Sequence, residues 1–447
     1  MSANQSDRAL LTRLFHAAVA RVHPSRCVPD YLPPPPTGRT VVVGAGKAAA
    51  AMARAFEDAW QHDLTGLVIT RYGYAMPTQR IEVVEAAHPV PDESGIRATR
   101  RILEMVRALG PDDLVVCLLS GGASALLTAP ADGLSLAPET CVLTGGTSAL
   151  RATPTDGLTL ADKQAVTQAL LRCGAPIQHI NTVRKHLSAI KGGALARAVA
   201  PARLVTLAIS DVVGDDPSII GSGPTVADPS HASDALALID HYSIQPPEAV
   251  MAHLRARGDV AVPPLPPSDY RLIARPQDAL DAAAALAVAE GLSPIMLGDG
   301  LEGEARDVAC AHGDMARRLL HGDRPRIMLS GGELTVTVRG NGQGGPNQEY
   351  ALALALVLDG CGGITALAAD TDGLDGNGDA AGAFVDTDKP LWNGHHASSP
   401  AAQLAANNAG PALDALGDLF RPGPTNTNVN DFRAIIVRPP EEPYLAP

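Results

Sequence analysis

The stretch Val41-Val42-Val43-Gly44-Ala45-Gly46-Lys47 carries an apolar strand into a glycine turn, and the alanine-rich residues 47–60 read as the helix that follows. Such a step gathers backbone N–H groups and the positive end of a helix dipole at one point, and Lys47 adds a mobile charge. The pattern is a seat for an anion. A dinucleotide pyrophosphate and a phosphoryl group in transfer both suit it.

Working outward, short β-rich runs (66–70, 81–85, 114–119, 204–209) alternate with helical ones (94–108, 161–172, 181–199), and 5–22 has helical spacing. The alternation predicts an α/β domain with a mostly parallel sheet. Val262-Pro263-Pro264-Leu265-Pro266-Pro267 fits neither a regular helix nor a central strand and marks a connection. Beyond it, strands at 270–273, 293–297, 326–329, 334–339 and 364–369 alternate with helices at 277–290, 303–320 and 347–358. Two lobes are expected, one over 5–245 and a smaller α/β lobe over 265–440, with the active site in the cleft between them.

Residues 117–137 and 141–161 match at 13 of 21 positions, 24 residues apart. Two copies are too few for a solenoid, so this is a local tandem duplication. The first copy follows the good strand Leu114-Val115-Val116 and the second follows Pro138-Glu139-Thr140. Ser120-Gly121-Gly122 is therefore read as the working loop, with Thr144-Gly145-Gly146 in an insertion.

Composition narrows the partners. A net charge of −13 argues against nucleic acid and anionic membrane, and an aromatic content of 3% leaves few base-stacking platforms. No apolar run reaches membrane-spanning length and no secretory core opens the chain, so a cytoplasmic protein is expected. The six cysteines form no CxxC pair, which indicates neither a zinc site nor a disulfide framework.

Four polar clusters exceed what a core needs. Ser210-Asp211 closes an apolar strand, where a carboxylate can accept a substrate proton or hold Mg2+. Ser330-Gly331-Gly332-Glu333 and Gly342–Glu349 are glycine loops able to approach phosphate oxygens. Asp370-Thr371-Asp372 ends another strand and offers Mg2+ or nucleotide contacts. Asn181-Thr182-Val183-Arg184-Lys185-His186, with Lys191 beyond, supplies local positive charge for a carboxylate or phosphate. A packed role is the plainer reading of His186, and of His88.

Gly44-x-Gly46-x-x-Ala49 satisfies a loose dinucleotide fingerprint, but the next strand ends in Arg71 rather than in the acid that binds ribose hydroxyls. NAD is disfavoured, and NADP with Arg71 stays open. Lys47 has no task at a dinucleotide, whereas in phosphoryl transfer it neutralises growing charge. The Walker spacing GxxxxGK[ST] does not occur at this turn.

VVVGAGKAA (41–49), AAHPVPDESG (86–95), LLSGGASALL (118–127), NTVRKHLSAIKGG (181–193), AISDVVGDDPSIIGSGPT (208–225), SGGE (330–333), AADTDGLDG (368–376) and GPTNTNVNDFR (423–433) together resemble the class II glycerate kinases. This glycerate 2-kinase family ends in a MOFRL domain, which would cover about 325–435 here. The resemblance spans nearly the whole chain. It implies a Rossmann-like N-terminal domain and a MOFRL-type C-terminal lobe, and transfer of the γ-phosphoryl of ATP to the 2-hydroxyl of D-glycerate with Mg2+.

By the same resemblance the catalytic lysine and aspartate fall on Lys47 and Asp211. The family arginine of the motif GRNQE is replaced, since the motif reads Gly345-Pro346-Asn347-Gln348-Glu349. Substrate is expected at Ser120, Gly121, Gly122, Arg184 and Lys185. Nucleotide is expected at Gly332, Glu333, Asn347, Asp370, Asp372 and Thr425, and Mg2+ at Asp211 and Asp370. A hydroxypyruvate reductase using NAD(P)H, or an impaired paralogue that only binds ligand, are the alternatives. Self-association into a homo-oligomer is left open.

Overall fold

The computed structural model describes residues 3–131, 158–258, 264–376, 378–391 and 399–440. Six strands, β1 (Thr40–Ala45), β2 (Thr65–Arg71), β3 (Ile81–Ala86), β4 (Leu114–Leu119), β5 (Arg203–Ile209) and β6 (Ser268–Ala274), form one sheet in the order β3-β2-β1-β4-β5-β6. Their pairings are all parallel. β1 and β4 are buried along their whole length, as near-continuous apolar runs covered on both faces require. Chain progression reverses between β1 and β4, and in such sheets ligands bind beyond the carboxyl ends of the strands at that switch.

The second sheet is built from β7 (Ser293–Met296), β9 (Arg326–Ser330), β11 (Ile364–Asp370), β12 (Gly382–Asp386), β13 (Leu419–Phe420) and β14 (Asp431–Val437). Its order is β13-β12-β11-β14-β9-β7, with β7 parallel to β9 and the other neighbours antiparallel. β8 (Glu302–Glu304) and β10 (Glu333–Thr335) make a separate parallel pair.

Three local readings change. The stretch 270–273 was expected in the second lobe, but it lies in β6 and completes the first sheet against β5. The strand expected over 334–339 stops at Thr335, because the amides of Thr337, Arg339 and Gly340 turn to the side chains of Glu304 and Asn407. The single helix expected over 181–199 is two, Ile177–His186 and Ala194–Val199. Gly192 (φ 56°) and Gly193 (φ 77°) are left-handed, which breaks the helix there, and Gly193 N–H bonds Gly223 O at 2.8 Å.

The layers share their core. Helices Ala3–Val22, Ala49–Ala59 and Pro276–Ala289 lie between the sheets. Leu11, Leu14, Phe15, Met52, Phe56 and Leu280 pack in one cluster with Val42, Leu118 and Ile209 of the first sheet and Leu329, Leu367 and Phe432 of the second. The first helix thus belongs to both halves. Helices Leu160–Arg172, Ile177–His186, Ala232–His241 and Glu248–Arg257 form a side bundle around Val166, Val183, Ile239 and Leu254.

Candidate functional site

Gly46 has φ 141°, and a Cβ there would lie 2.1 Å from Ser120 Oγ, so the β1 turn passes hard against the turn after β4. The close approach overturns the expected backbone seat. Gly46 N–H donates to Ile69 O (3.1 Å), Lys47 N–H to Gly121 O (2.7 Å) and Ala48 N–H to Ser120 Oγ (3.0 Å). These amides have protein partners, and the ammonium of Lys47 is what the turn presents.

That ammonium sits in a ring of acids. Lys47 Nζ is 2.6 Å from Asp372 Oδ2, a carboxylate only 1% exposed, and Arg71 Nη1 approaches the same oxygen at 3.9 Å. Burial opposes the charge on Lys47, but Asp370, Asp372 and Asp211 more than offset it, and the pKa is raised. Burial raises the carboxyl of Asp211, with Lys47 pulling the other way. Burial and Asp372 raise Asp370 well above the ordinary range, again against Lys47. Glu333 reaches solvent, yet the surrounding protein and the charges of Asp211 and Asp431 raise it too. The site is rich in negative charge beyond what Lys47 neutralises.

Separate elements hold these groups. Asp211, just past β5, accepts from Asn428 Nδ2 at 3.1 Å, and Asn430 Nδ2 donates to its main-chain oxygen. A Cβ at Gly121 would fall 2.1 Å from Asp211 Oδ2 and 2.2 Å from Asn428 Nδ2, so any larger residue there would push both side chains aside. Gly122 is left-handed (φ 81°), and a Cβ there would be 2.9 Å from His88 Nε2 and 3.4 Å from Lys47 Cγ. Burial, Lys47 and Arg71 push the imidazole of His88 down to about 4, so it is neutral at pH 7. Ser120, Gly121 and Gly122 of the first tandem copy are thus brought to Lys47 and Asp211. Thr144-Gly145-Gly146 of the second copy lies outside the described residues.

The other expected contacts divide. Asp370 and Asp372 join the ring through Asp372 N–H to Asp370 Oδ1 at 2.8 Å. Thr425 buttresses that loop, donating from Oγ1 to Thr371 O at 2.5 Å and from its amide to Asp372 O at 3.2 Å. Gly332 (φ 97°) closes on Leu301, and its carbonyl accepts from Asp431 N–H at 3.1 Å. Asn347 is buried, held by Asp375 (3.1 Å) and Asp431 (2.7 Å), while its Oδ1 has no partner among the described residues. Pro346 occupies the first turn of helix Pro346–Val357, where a proline costs no hydrogen bond.

Arg184 and Lys185 point to different surroundings. Lys185 faces Asp228 at 3.5 Å. Arg184 Nη2 donates to Ser124 O at 3.2 Å, beside buried Lys191, whose Nζ donates to the same oxygen at 2.6 Å. Sequence reasoning assigned no role to Asn428 or Asn430, read Lys191 only as part of a local positive charge, and read His88 as a packed residue. All four stood inside the quoted motifs, but their partners lie on distant segments.

A parallel sheet whose switch point collects a cation, carboxylates and glycine turns belongs to the α/β enzymes that handle anionic small molecules. The profile of a domain of unknown function (DUF4147) matches residues 10–142 and again 138–255, and the MOFRL family matches 326–431. An Agrobacterium vitis protein with the provisional name hydroxypyruvate reductase is 49% identical over 97% of this chain and 95% of its own length. The D-glycerate 2-kinase of Thermotoga maritima is 37% identical over 96% of this chain and 98% of its own. A crystal structure of glycerate kinase from that organism superimposes with a TM-score of 0.83 at 36% identity, covering 97% of this chain and 100% of the other. The chain belongs to the class II glycerate kinase family, with a C-terminal MOFRL domain. No helix among the described residues is long and apolar enough to cross a membrane.

Proposed function

We propose that this protein is a glycerate 2-kinase that moves the γ-phosphoryl group of ATP to the 2-hydroxyl of D-glycerate. The observation that carries this reading is Lys47 Nζ set 2.6 Å from Asp372 in a ring with Asp370 and Asp211, at a switch point whose turn amides are already bonded. The strand order would admit a dinucleotide, but Ser120 and Gly121 occupy the amides that a pyrophosphate would need. This argues against the reductase reading.

Glycerate would lie against Ser120, Gly121 and Gly122 with its 2-hydroxyl toward Asp211. The 2-hydroxyl oxygen bonds to the γ-phosphorus as the bond from that phosphorus to the bridging oxygen breaks. The hydroxyl proton passes to Asp211 and ADP leaves. Burial makes Asp211 a better proton acceptor, and Asn428 fixes its rotamer. Lys47 meets the charge spread over the transferred group. ATP would lie toward Glu333, Asp370 and Asp372, on the loop that Thr425 braces.

The donor set suits Mg2+. Asp370 and Asp211 are hard oxygen donors whose carboxyls are raised first by burial, and a bound cation would favour their charged forms. Among the described residues no three metal-binding side chains enclose a site, which fits an ion that completes its shell with phosphate oxygens and water. When bound, the ion would neutralise the nucleotide phosphates.

An assay that separates 2- from 3-phosphoglycerate, run beside hydroxypyruvate with NADPH, tests the reading. ATP-dependent 2-phosphoglycerate is expected. NADPH oxidation without ATP use would establish the reductase, and ligand binding without turnover the impaired paralogue.

A further inference from the structure

Three cations converge behind the turn that follows β4. Lys163 comes from helix Leu160–Arg172, Arg184 from helix Ile177–His186, and Lys191 from the loop that breaks the expected long helix. Lys191 is 3% exposed and donates to Ser124 O (2.6 Å) and Leu127 O (3.3 Å). Lys163, 8% exposed, donates to Thr128 Oγ1 (3.3 Å) and Ala129 O (3.4 Å). Half-buried Arg184 uses only Nη2, on Ser124 O, and the rest of its fork has no protein partner among the described residues.

Among the described residues no carboxylate is within ion-pair reach of any of the three, and the charges that act on the two lysines are those of their cationic neighbours. Burial and Arg184 bring Lys163 down to about 7, and burial, Arg184 and Lys163 depress Lys191 well below its ordinary value. Arg184 cannot shed its proton. Capping carbonyls alone would not call for charge, since an amide side chain does the same without desolvating a cation. Three basic side chains from three elements, with no carboxylate partner among the described residues and in a chain of net charge −13, suit an anion brought as a ligand.

We propose that Arg184, Lys191 and Lys163 form a second anion seat, apart from the Lys47 cleft, that takes a small oxyanion at the open fork of Arg184. The ligand is a carboxylate or a phosphate, the two groups a guanidinium grips with paired hydrogen bonds. The seat shares Ser124 with the turn that carries Ser120, Gly121 and Gly122. An occupant would therefore brace the wall of the cleft. The argument rests on charge and burial and does not depend on glycerate being the substrate.

Calorimetric titration of the full-length protein without nucleotide tests the seat, with inorganic phosphate, D-glycerate and glycerol as probes. Wild type and Lys47→Met are expected to bind phosphate or D-glycerate but not glycerol. Arg184→Gln and Lys191→Gln, which keep a donor toward Ser124, should bind at least about tenfold more weakly. Circular dichroism melts verify that the variants are folded, and Lys163→Gln replaces any that is not. A preference for D-glycerate identifies a carboxylate seat and a preference for phosphate a phosphate seat. Unchanged affinity in the folded variants, or loss of binding in Lys47→Met alone, would overturn the proposal. Failure of the kinase reading would show separately, as wild type that consumes no ATP with D-glycerate.

Discussion

Lys47 and Lys191 flank the same short turn, and the chain treats their charges in opposite ways. Around Lys47 three aspartates hold the ammonium protonated. Around Lys191 burial comes first and the charged neighbours are Arg184 and Lys163, so its pKa is lowered rather than raised. A cation kept charged by its own protein serves a reaction that generates negative charge for a moment. A cation with no counter-charge among the described residues is open to one brought by a ligand, as proposed for this seat.

The largest expected effect lies on the Lys47 side. Lys47→Met and Asp211→Asn should each lower turnover at least about a hundredfold, read from initial rates at saturating ATP and glycerate. Near-normal rates in either variant would remove that residue from the chemistry. Next comes the pairing itself. Asp372→Asn leaves Lys47 with Asp370 and Asp211, so the loss should be about 2 kcal/mol in urea unfolding, below the usual 3–5 kcal/mol for breaking a buried pair.

The third prediction sharpens the contrast through pH. Lys163 falls to about 7 from an ordinary 10.5, so between these values the unfolded chain binds more protons than the folded one. Stability from this group therefore rises with pH over that window, and below it the full cost of a buried charge is present. Lys163→Met should melt above wild type at pH 6, with the advantage shrinking toward pH 10. Smallest is Lys185→Ala. Lys185 already has Asp228 at 3.5 Å, so phosphate affinity should change less than about twofold.

Reading the chain alone located five of the six strands of the first sheet, β6 having been placed in the second lobe, because β1 and β4 are apolar throughout and such runs admit few other structures. The second sheet was harder. β14 begins at Asp431 after a run of asparagines and threonines, and β13 is two residues long, so neither shows a period. Lys47 and Asp211 stood out as candidates because each lies two residues past an apolar strand, and the family motifs marked both. The free-amide seat was misread because Ser120 and Gly121, which occupy it, come from another part of the chain. The setting of Lys191, with no acid near it among the described residues, was out of reach for a related reason, since it depends on which distant segments pack there.

The hydrophobic layer around Leu11, Leu14 and Phe15 touches both sheets, and that sets how the catalytic halves can move. Domains joined by small polar contacts swing freely, and these are joined by a dry keel. If the kinase reading holds, a shared core of this kind places nucleotide exchange at the loops of the mouth rather than at a hinge. Helix Ala3–Val22 acts as the spine that keeps both jaws in register.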